Sequence, residues 1–435
     1  MTNSTSPEIT PKKKWAVPFF TIWTGQAISL LGSQMVQFAL IWWLTKKTGS
    51  ATVLTTATLV GILPSVVLGP FVGALVDRWN RRKILLIADS SIALVTLVLA
   101  YLFSVGLVDV WVIYLMLFLR ALGGGFHHPA MSASTSLMVP NEQLTRIQGL
   151  NQTLHAGLNI VSAPLGALLL EILDVQGILL IDVVTALFAI IPLFFIAIPQ
   201  PEKKAVSQEK NLAKSVWQDF LEGLRYVKKW PGLLFLIVMA LSINMIITPA
   251  FSLLPLLVRS HFGGEALQLG WLNSSFGIGA IVGGVLLGIW GGFKKKIHTS
   301  LLGLILLAVG LAVMGFTPGT LLPMAIAGIF IVGIGIPMAN GPLNAIVQSA
   351  VDPAMQGRVF TLLSSLATAM SPLGLIVAGP ISDLVSIQIW YIVGSVVTLG
   401  FGIGGFFSKV LMNMEENNAS AKLISGEKHQ KTHQD

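Results

Sequence analysis

Cysteine is missing from the chain altogether, which removes disulfide staples, thiolate chemistry and cysteine-based metal sites. Charge is scarce too: Asp, Glu, Lys and Arg make up 11% of the 435 residues, against roughly 25% in an ordinary soluble domain. Such a chain is too poor in charge to coat a water-facing surface. No Gly-Lys dipeptide occurs, so there is no phosphate-binding P-loop for ATP. The H-E-x-x-H, nucleophile-elbow and paired-carboxylate patterns are also missing, which argues against an enzyme. His127 and His128 are adjacent and face different sides of a helix, so they cannot form an i, i+4 metal pair. Neither a metal nor another cofactor is expected.

What is abundant is apolar sequence, 54% of the chain, with a mean hydropathy of +0.79. It comes in runs of about 20 residues, the length that crosses a bilayer core as helix. Windows bounded by charge, Gly and Pro predict twelve spans. They lie near 17–44, 51–76, 84–107, 111–131, 147–170, 178–198, 232–257, 270–293, 299–316, 321–346, 359–382 and 389–411. The run from Val17 to Leu44 is too long for a signal-peptide core, and no A-x-A site follows it. If the N-terminus is cytoplasmic, all 27 basic residues except Lys46, Lys47, Arg259 and the intramembrane Arg120 fall on the cytoplasmic side. The positive-inside rule therefore predicts a multi-pass protein of the cell membrane with both termini cytoplasmic. The net charge of +8 is accounted for by these loop clusters, and no nucleic-acid surface is expected.

The predicted organisation is an N-terminal tail at 1–16, a six-helix bundle at 17–198, a cytoplasmic central loop at 199–230, a second six-helix bundle at 231–411 and a disordered polar tail at 412–435. Within the central loop, Val216, Trp217, Phe220, Leu221, Leu224 and Val227 recur at helical spacing, predicting an amphipathic helix on the inner membrane surface. The bundles are related by a parallel repeat. A shift of about 215 sets Gly69 and Gly73 on Gly284 and Gly288, and Ser29, Ser33 and Gln37 on Asn244, Thr248 and Ser252. A shift of about 208 sets Pro164-Leu165-Gly166 on Pro372-Leu373-Gly374. Two six-span halves in parallel repetition suit alternating access around a site between them.

Between spans 2 and 3 stands Gly73-Ala74-Leu75-Val76-Asp77-Arg78-Trp79-Asn80-Arg81-Arg82-Lys83. A Gly here lets two helices approach closely, and the acid among bases can latch the cytoplasmic side. The segment resembles the signature loop of the major facilitator superfamily, with Asn80 in place of a commoner Gly. Further stretches, Ile22-Trp23-Thr24-Gly25-Gln26-Ala27, Leu44 to Ser50, Phe126-His127-His128-Pro129-Ala130 and Gly357-Arg358-Val359-Phe360, resemble its macrolide-efflux branch. The resemblance implies an all-α fold of twelve helices and drug export in exchange for protons. It also implies a latch built from Gly73, Asp77, Arg78, Arg81, Arg82 and Lys83, with Asp77 engaging the start of span 11 at Arg358. Ser162 to Ala167 matches the antiporter motif in part, lacking its Gly before Pro. Lipid flippases and siderophore exporters share the fold and remain alternatives, as does a receptor that transports nothing.

Charged groups inside spans are costly and point to function. Arg120 lies about 14 Å into span 4, near the midplane, and the resemblance associates an arginine there with proton coupling; a static ion pair is the structural alternative. Asp89, Asp182 and His155 are the further proton-coupling candidates. Asp89 lies close enough to the end of span 3 to snorkel to the cytoplasmic surface, and Asp182 near the outer end of span 6. Spans 1, 7 and 10 carry neutral polar stripes at four-residue spacing: Ser29, Ser33 and Gln37; Asn244, Thr248 and Ser252; Asn340, Asn344 and Gln348. In the fold that the resemblance implies, spans 1, 4, 7 and 10 line the central cavity, so with Gln26 these groups are the candidate substrate cavity, suited to a small amphiphilic molecule handled by a monomer. The alternative is hydrogen bonding that merely ties helices together. The glycines at 277, 279, 283, 284 and 288 lie within one apolar span and predict close helix packing.

Overall fold

The computed structural model describes residues 15–200, 221–222, 224–228, 230–351 and 353–412, with the side chains of Pro70, Gly73, Ala74, Asp77, Ala350, Pro353, Ala354, Gly357, Arg358, Thr361 and Ser364 left aside. Twelve helices among the described residues are long and apolar enough to cross a membrane. They are α1 (Ala16–Thr48), α2 (Ala51–Arg78), α3 (Arg81–Ser104), α4 (Val110–Met138), α5 (Asn141–Ile172), α6 (Val175–Phe195), α7 (Pro231–Ser252), α8 (Ala266–Trp290), α9 (Lys296–Phe316), α10 (Leu322–Ala350), α11 (Pro353–Leu384) and α12 (Gln388–Phe407). Short helices at Leu254–Ser260 and Lys409–Met412 complete the described set. Each span falls where an apolar run predicts it, with edges a few residues longer where polar caps extend the helix past the apolar window. Residues 224–228 of the expected surface helix are helical, whereas Val216, Trp217 and Phe220 lie outside the described residues, as do the two tails.

Local chemistry sets the helix ends. Gly49 takes the left-handed conformation (φ 61°) that closes α1, and Ser50 caps α2 by accepting from the Val53 amide. Asn80 caps α3 in the same way, accepting from the Lys83 amide at 3.1 Å. Gly291 and Gly292, with φ of 75° and 81°, end α8. Prolines stand inside α4, α5, α6, α7, α10 and α11, where neighbouring helices can satisfy the backbone groups a proline sets loose. The surfaces turned away from the bundle carry exposed Ile87, Leu94, Val184, Phe188, Ile281 and Val396, a coat that fits lipid and would aggregate in water. The protein is a multi-pass membrane protein.

The packing pattern repeats after six helices. In the first half α1 packs on α5 and α6, α2 on α4, and α3 on α4 and α6. In the second α7 packs on α11 and α12, α8 on α10, and α9 on α10 and α12. Two crossings join the halves, α2 with α11 and α5 with α8, and the six-helix shift exchanges one for the other. Small residues permit the crossings. A methyl at Gly166 of α5 would meet Phe38 of α1, and one at the repeat-related Gly374 of α11 would strike the Met245 carbonyl of α7. In the glycine-rich α8, Gly279 and Gly283 lie against the α10 backbone and Gly277 against Ile160, as close packing requires, whereas Gly284 and Gly288 face open space.

The bonds described between the halves gather at the end where α1 turns into α2. Asp383, at the end of α11, accepts from Ser50 Oγ and from the amides of Ala51 and Thr52, capping α2 from across the interface at 2.7–3.0 Å. Beside it Thr58 bonds Ser252 at 2.6 Å, and Lys46 pairs with Glu265 at 3.1 Å. Ser274 of α8 donates to the Ile160 carbonyl of α5 at 2.6 Å.

Candidate functional site

Two polar layers lie inside the first half, on the same three helices. In one, Gln26 of α1 donates from Nε2 to Asp89 Oδ2 of α3 at 2.8 Å, while His127 Nε2 of α4 lies 2.9 Å from Gln26 Oε1 and 3.3 Å from Asp89 Oδ1. Two helical turns away, about 10 Å along the axes, Ser33, Thr96 and Arg120 repeat the arrangement around Asp182 of α6. Ser33 donates to Asp182 Oδ1 at 3.0 Å, and Arg120 Nη1 donates to Oδ2 at 2.7 Å. Thr96 bonds Oδ2 at 3.2 Å and also contacts Arg120. The layers are in register because 26 and 33, 89 and 96, and 120 and 127 share a seven-residue spacing, with α4 running opposite to α1 and α3. Gly32 makes room for Asp182, since a methyl there would fall 3.0 Å from its Oδ1.

Burial decides what these groups are. Asp182 is 1% exposed and Arg120 9%, so their charges meet each other rather than water. Asp89 is 6% exposed, and the snorkelling expected of it does not occur: it turns inward because Gln26 and His127 hold it there. Asp182 lies within the bundle, paired with Arg120, rather than at an interface.

Beside the inner layer lies a cavity of about 320 Å³ between α1, α4 and α5. Trp23, Gln26, His127, His128, Gln148 and His155 are on its wall, and His128 and His155 stack with ring centroids 5.9 Å apart. A second cavity of about 330 Å³ continues toward the α1–α2 end, lined by Gln34, Gln37, Phe38, Asn159 and Ser162, and meets Phe251, Leu269 and Asn273 of the second half. The lining of α1 at 23, 26, 27, 30, 34, 37, 38 and 41, and of α5 at 148, 151, 152, 155, 159, 162 and 163, forms one helical stripe on each. Neither cavity carries an Asp, Glu, Lys or Arg on its wall. Neutral hydrogen-bonding groups set among aromatic and aliphatic surface accept a bulky amphiphile and offer no clamp for a phosphate or a small ion.

Of the candidate cavity residues, Gln26 and Gln37 line this track, Ser29 is buried beside it and Ser33 holds Asp182. The second-half stripe does different work. Asn244 bonds back to Ala240, Thr248 bonds Ser371 of α11, and Ser252 reaches Thr58 of α2. Asn340, Asn344 and Gln348 line neither cavity.

The sequence profile of the Major Facilitator Superfamily matches residues 22–375. The chain belongs to this superfamily. Macrolide efflux protein A of Streptococcus pyogenes is 33% identical over 89% of the transporter and 95% of its own length. The multidrug efflux pump Tap of Mycolicibacterium fortuitum is 28% identical over 88% and 94%. Among solved structures, a D-xylose-proton symporter superposes with a TM-score of 0.65 at 12% identity, covering 89% of the transporter and 97% of that chain. That last likeness concerns the fold alone.

In the expected latch of the transporter, the side chains of Gly73 and Asp77 of the signature loop and of Arg358 of α11 lie outside the described residues. Its basic residues brace their own half. Arg81 Nη1 donates to the Ala133 carbonyl near the end of α4, and Arg82 donates to the Leu193 and Phe194 carbonyls at the end of α6. Both guanidiniums thus neutralise the partial negative charge of helix C-termini. Arg78 and Lys83 are exposed. Sequence reasoning passed over His127 as a partner for Asp89, as well as Trp23, Gln34, His128 and Asn151. The available signal was the polar face of α5, at 148, 152, 155 and 159, which has to look onto something other than lipid.

Proposed function

We propose that the transporter exports macrolide-like amphiphilic drugs from the cytoplasm in exchange for protons, acting as a monomer in the cell membrane with both termini cytoplasmic. The observation that carries this reading is the neutral, aromatic-lined track along α1 and α5, sealed at the α1–α2 end by Asp383 and Glu265. By the positive-inside rule the sealed end is the outer one, so the conformer faces inward and can load a substrate from the cytoplasm or inner leaflet. The halves 17–198 and 231–411 would rock about the α2–α11 and α5–α8 crossings to expose the same track outward. The macrolide and multidrug efflux relatives support the substrate class and the direction, and the absence of a P-loop supports an ion gradient as the energy source.

Two cavities of about 320 and 330 Å³ in line, with no Asp, Glu, Lys or Arg on their walls, offer room for a large ring. Expression in a drug-sensitive host tests the reading. Cells carrying the protein should tolerate more erythromycin and hold less of it at steady state. Equal accumulation of macrolides with and without the protein, at verified expression, refutes it.

A further inference from the structure

We infer that Asp89, acting through Gln26 and His127, is the carboxylate whose proton is exchanged for substrate, and that the Arg120–Asp182 pair is a fixed brace. The inference rests on the proton-exchange reading above and adds the group that performs it. The two polar layers supply a controlled comparison, because each holds one buried carboxylate among the same three helices. They differ in what neutralises it.

Asp182 meets a guanidinium that never gives up its proton, and it accepts from Ser33 and Thr96 as well. Protonating it would strand Arg120, 9% exposed, without a counter-charge. Neither Asp182 nor Asp89 lines a cavity itself, and none of Ser33, Thr96 and Arg120 does so for Asp182. Asp89, among the described residues, meets an amide and an imidazole. Among the described residues, the titratable groups presented toward it are these. From α4 come His127 and, on the cavity wall beyond, His128. From α6 comes Asp182, two turns away and bound to Arg120. Arg81 and Arg82 of its own helix are committed to the ends of α4 and α6, while Lys83 and Arg78 of α2 are exposed. One residue before Gln26, the backbone of Phe188 and Ala189 of α6 packs against Gly25. A buried carboxylate with no permanent cation is the one for which gaining and losing a proton are comparable in free energy.

Its two partners reach the substrate, since Gln26 and His127 both stand on the cavity wall. The observed geometry, with Asp89 Oδ2 accepting from Gln26 Nε2 and His127 Nε2 beside Gln26 Oε1, suits the ionised carboxylate, for which Gln26 Oε1 accepts from His127 Nε2–H. When Asp89 takes up a proton on Oδ1, the new carboxyl O–H faces His127 Nε2, 3.3 Å away, while Oδ2 can go on accepting from Gln26 Nε2. The imidazole Nε2 then has to accept, and it can no longer donate to Gln26 Oε1. His127 therefore loses its Nε2 proton to cavity water and gains one on Nδ1, so the net change is the single proton on Asp89. One proton on Asp89 thus changes which nitrogen of His127 donates and leaves Gln26 Oε1 on the cavity wall without its donor, and a ligand held by one set of donors and acceptors is released by the other.

The test measures proton release on binding. Purified protein in weakly buffered detergent is titrated with erythromycin while a pH indicator reports released protons and equilibrium dialysis reports bound drug. The expected result is release in the wild type, none in Asp89→Asn, and recovery in Asp89→Glu. The neutral pair Arg120→Gln with Asp182→Asn should release protons as the wild type does. Release from Asp89→Asn at the wild-type level, or its loss in a folded pair variant, overturns the assignment while leaving proton exchange standing. No release from drug-bound wild type overturns proton exchange itself, and the assignment with it. If Asp89→Asn does not fold, Gln26→Leu replaces it: this variant deprives ionised Asp89 of its donor and should abolish release, and unchanged release overturns the relay.

Discussion

Removing one member of the Arg120–Asp182 pair leaves the other charge buried without a partner. In Asp182→Asn the Arg120 guanidinium, 9% exposed, loses an ion pair of 2.7 Å. In Arg120→Gln the carboxylate, 1% exposed, keeps only the hydroxyls of Ser33 and Thr96. Breaking a buried pair in this way costs about 3–5 kcal/mol. The double variant behaves differently. The amide introduced in place of Asp182 can accept from one hydroxyl on its oxygen and donate from its nitrogen to the other, which turns to accept, and the amide introduced in place of Arg120 can pair with it. No charge is left to desolvate, so the stability of the double variant should fall within about 1 kcal/mol of the wild type. With each single variant losing about 3–5 kcal/mol and the double about 1, a double-mutant cycle should therefore show coupling of about 5 kcal/mol or more. The assay is reversible unfolding in mixed micelles, followed by tryptophan fluorescence, for the wild type, both single variants and the double variant. Additive losses, with the double variant the least stable of the four, would refute the idea that each charge is buried for the sake of the other.

Two further outcomes follow from the packing between helices. Asp383→Asn removes the anion that caps α2 across the interface, which after solvent screening is worth about 1 kcal/mol, a roughly fivefold change in population. Because the chain has no cysteine, a lone Gln37→Cys reports the change directly: an impermeant maleimide applied from the α1–α2 side should label it faster once Asp383 is neutral. Gly333→Val should destabilise by about 1–3 kcal/mol in detergent melts, because its Cβ would strike the Phe276 carbonyl, whereas Gly284→Val, with open space around it, should melt as the wild type does.

The sequence reads well where one helix carries the whole signal. Apolar run length locates all twelve spans, and the repeat visible in Pro164-Leu165-Gly166 and Pro372-Leu373-Gly374 reappears as Gly166 on α1 and Gly374 on α7. It reads less well where the signal lies between helices. Arg120 and Asp182 are legible separately as charges in apolar spans, but nothing in either span says that α3, α4 and α6 bring them to 2.7 Å. Depth along the helix puts Asp89 within snorkelling distance of water, while rotation about the helix axis turns it inward onto Gln26. The neutral stripes are ambiguous for the same reason. A polar group in a span either faces a cavity or ties two helices together, and Gln37 does the first while Thr248 and Ser252 do the second.

The central claim is exchange of drug for protons. Its most direct test is uptake of radiolabelled erythromycin into proteoliposomes of the purified protein, with a pH gradient imposed by dilution. Molecules oriented to pump inward should accumulate drug only when the lumen is acidic, and a proton ionophore should collapse the accumulated pool. Accumulation that is indifferent to the gradient and the ionophore would contradict it.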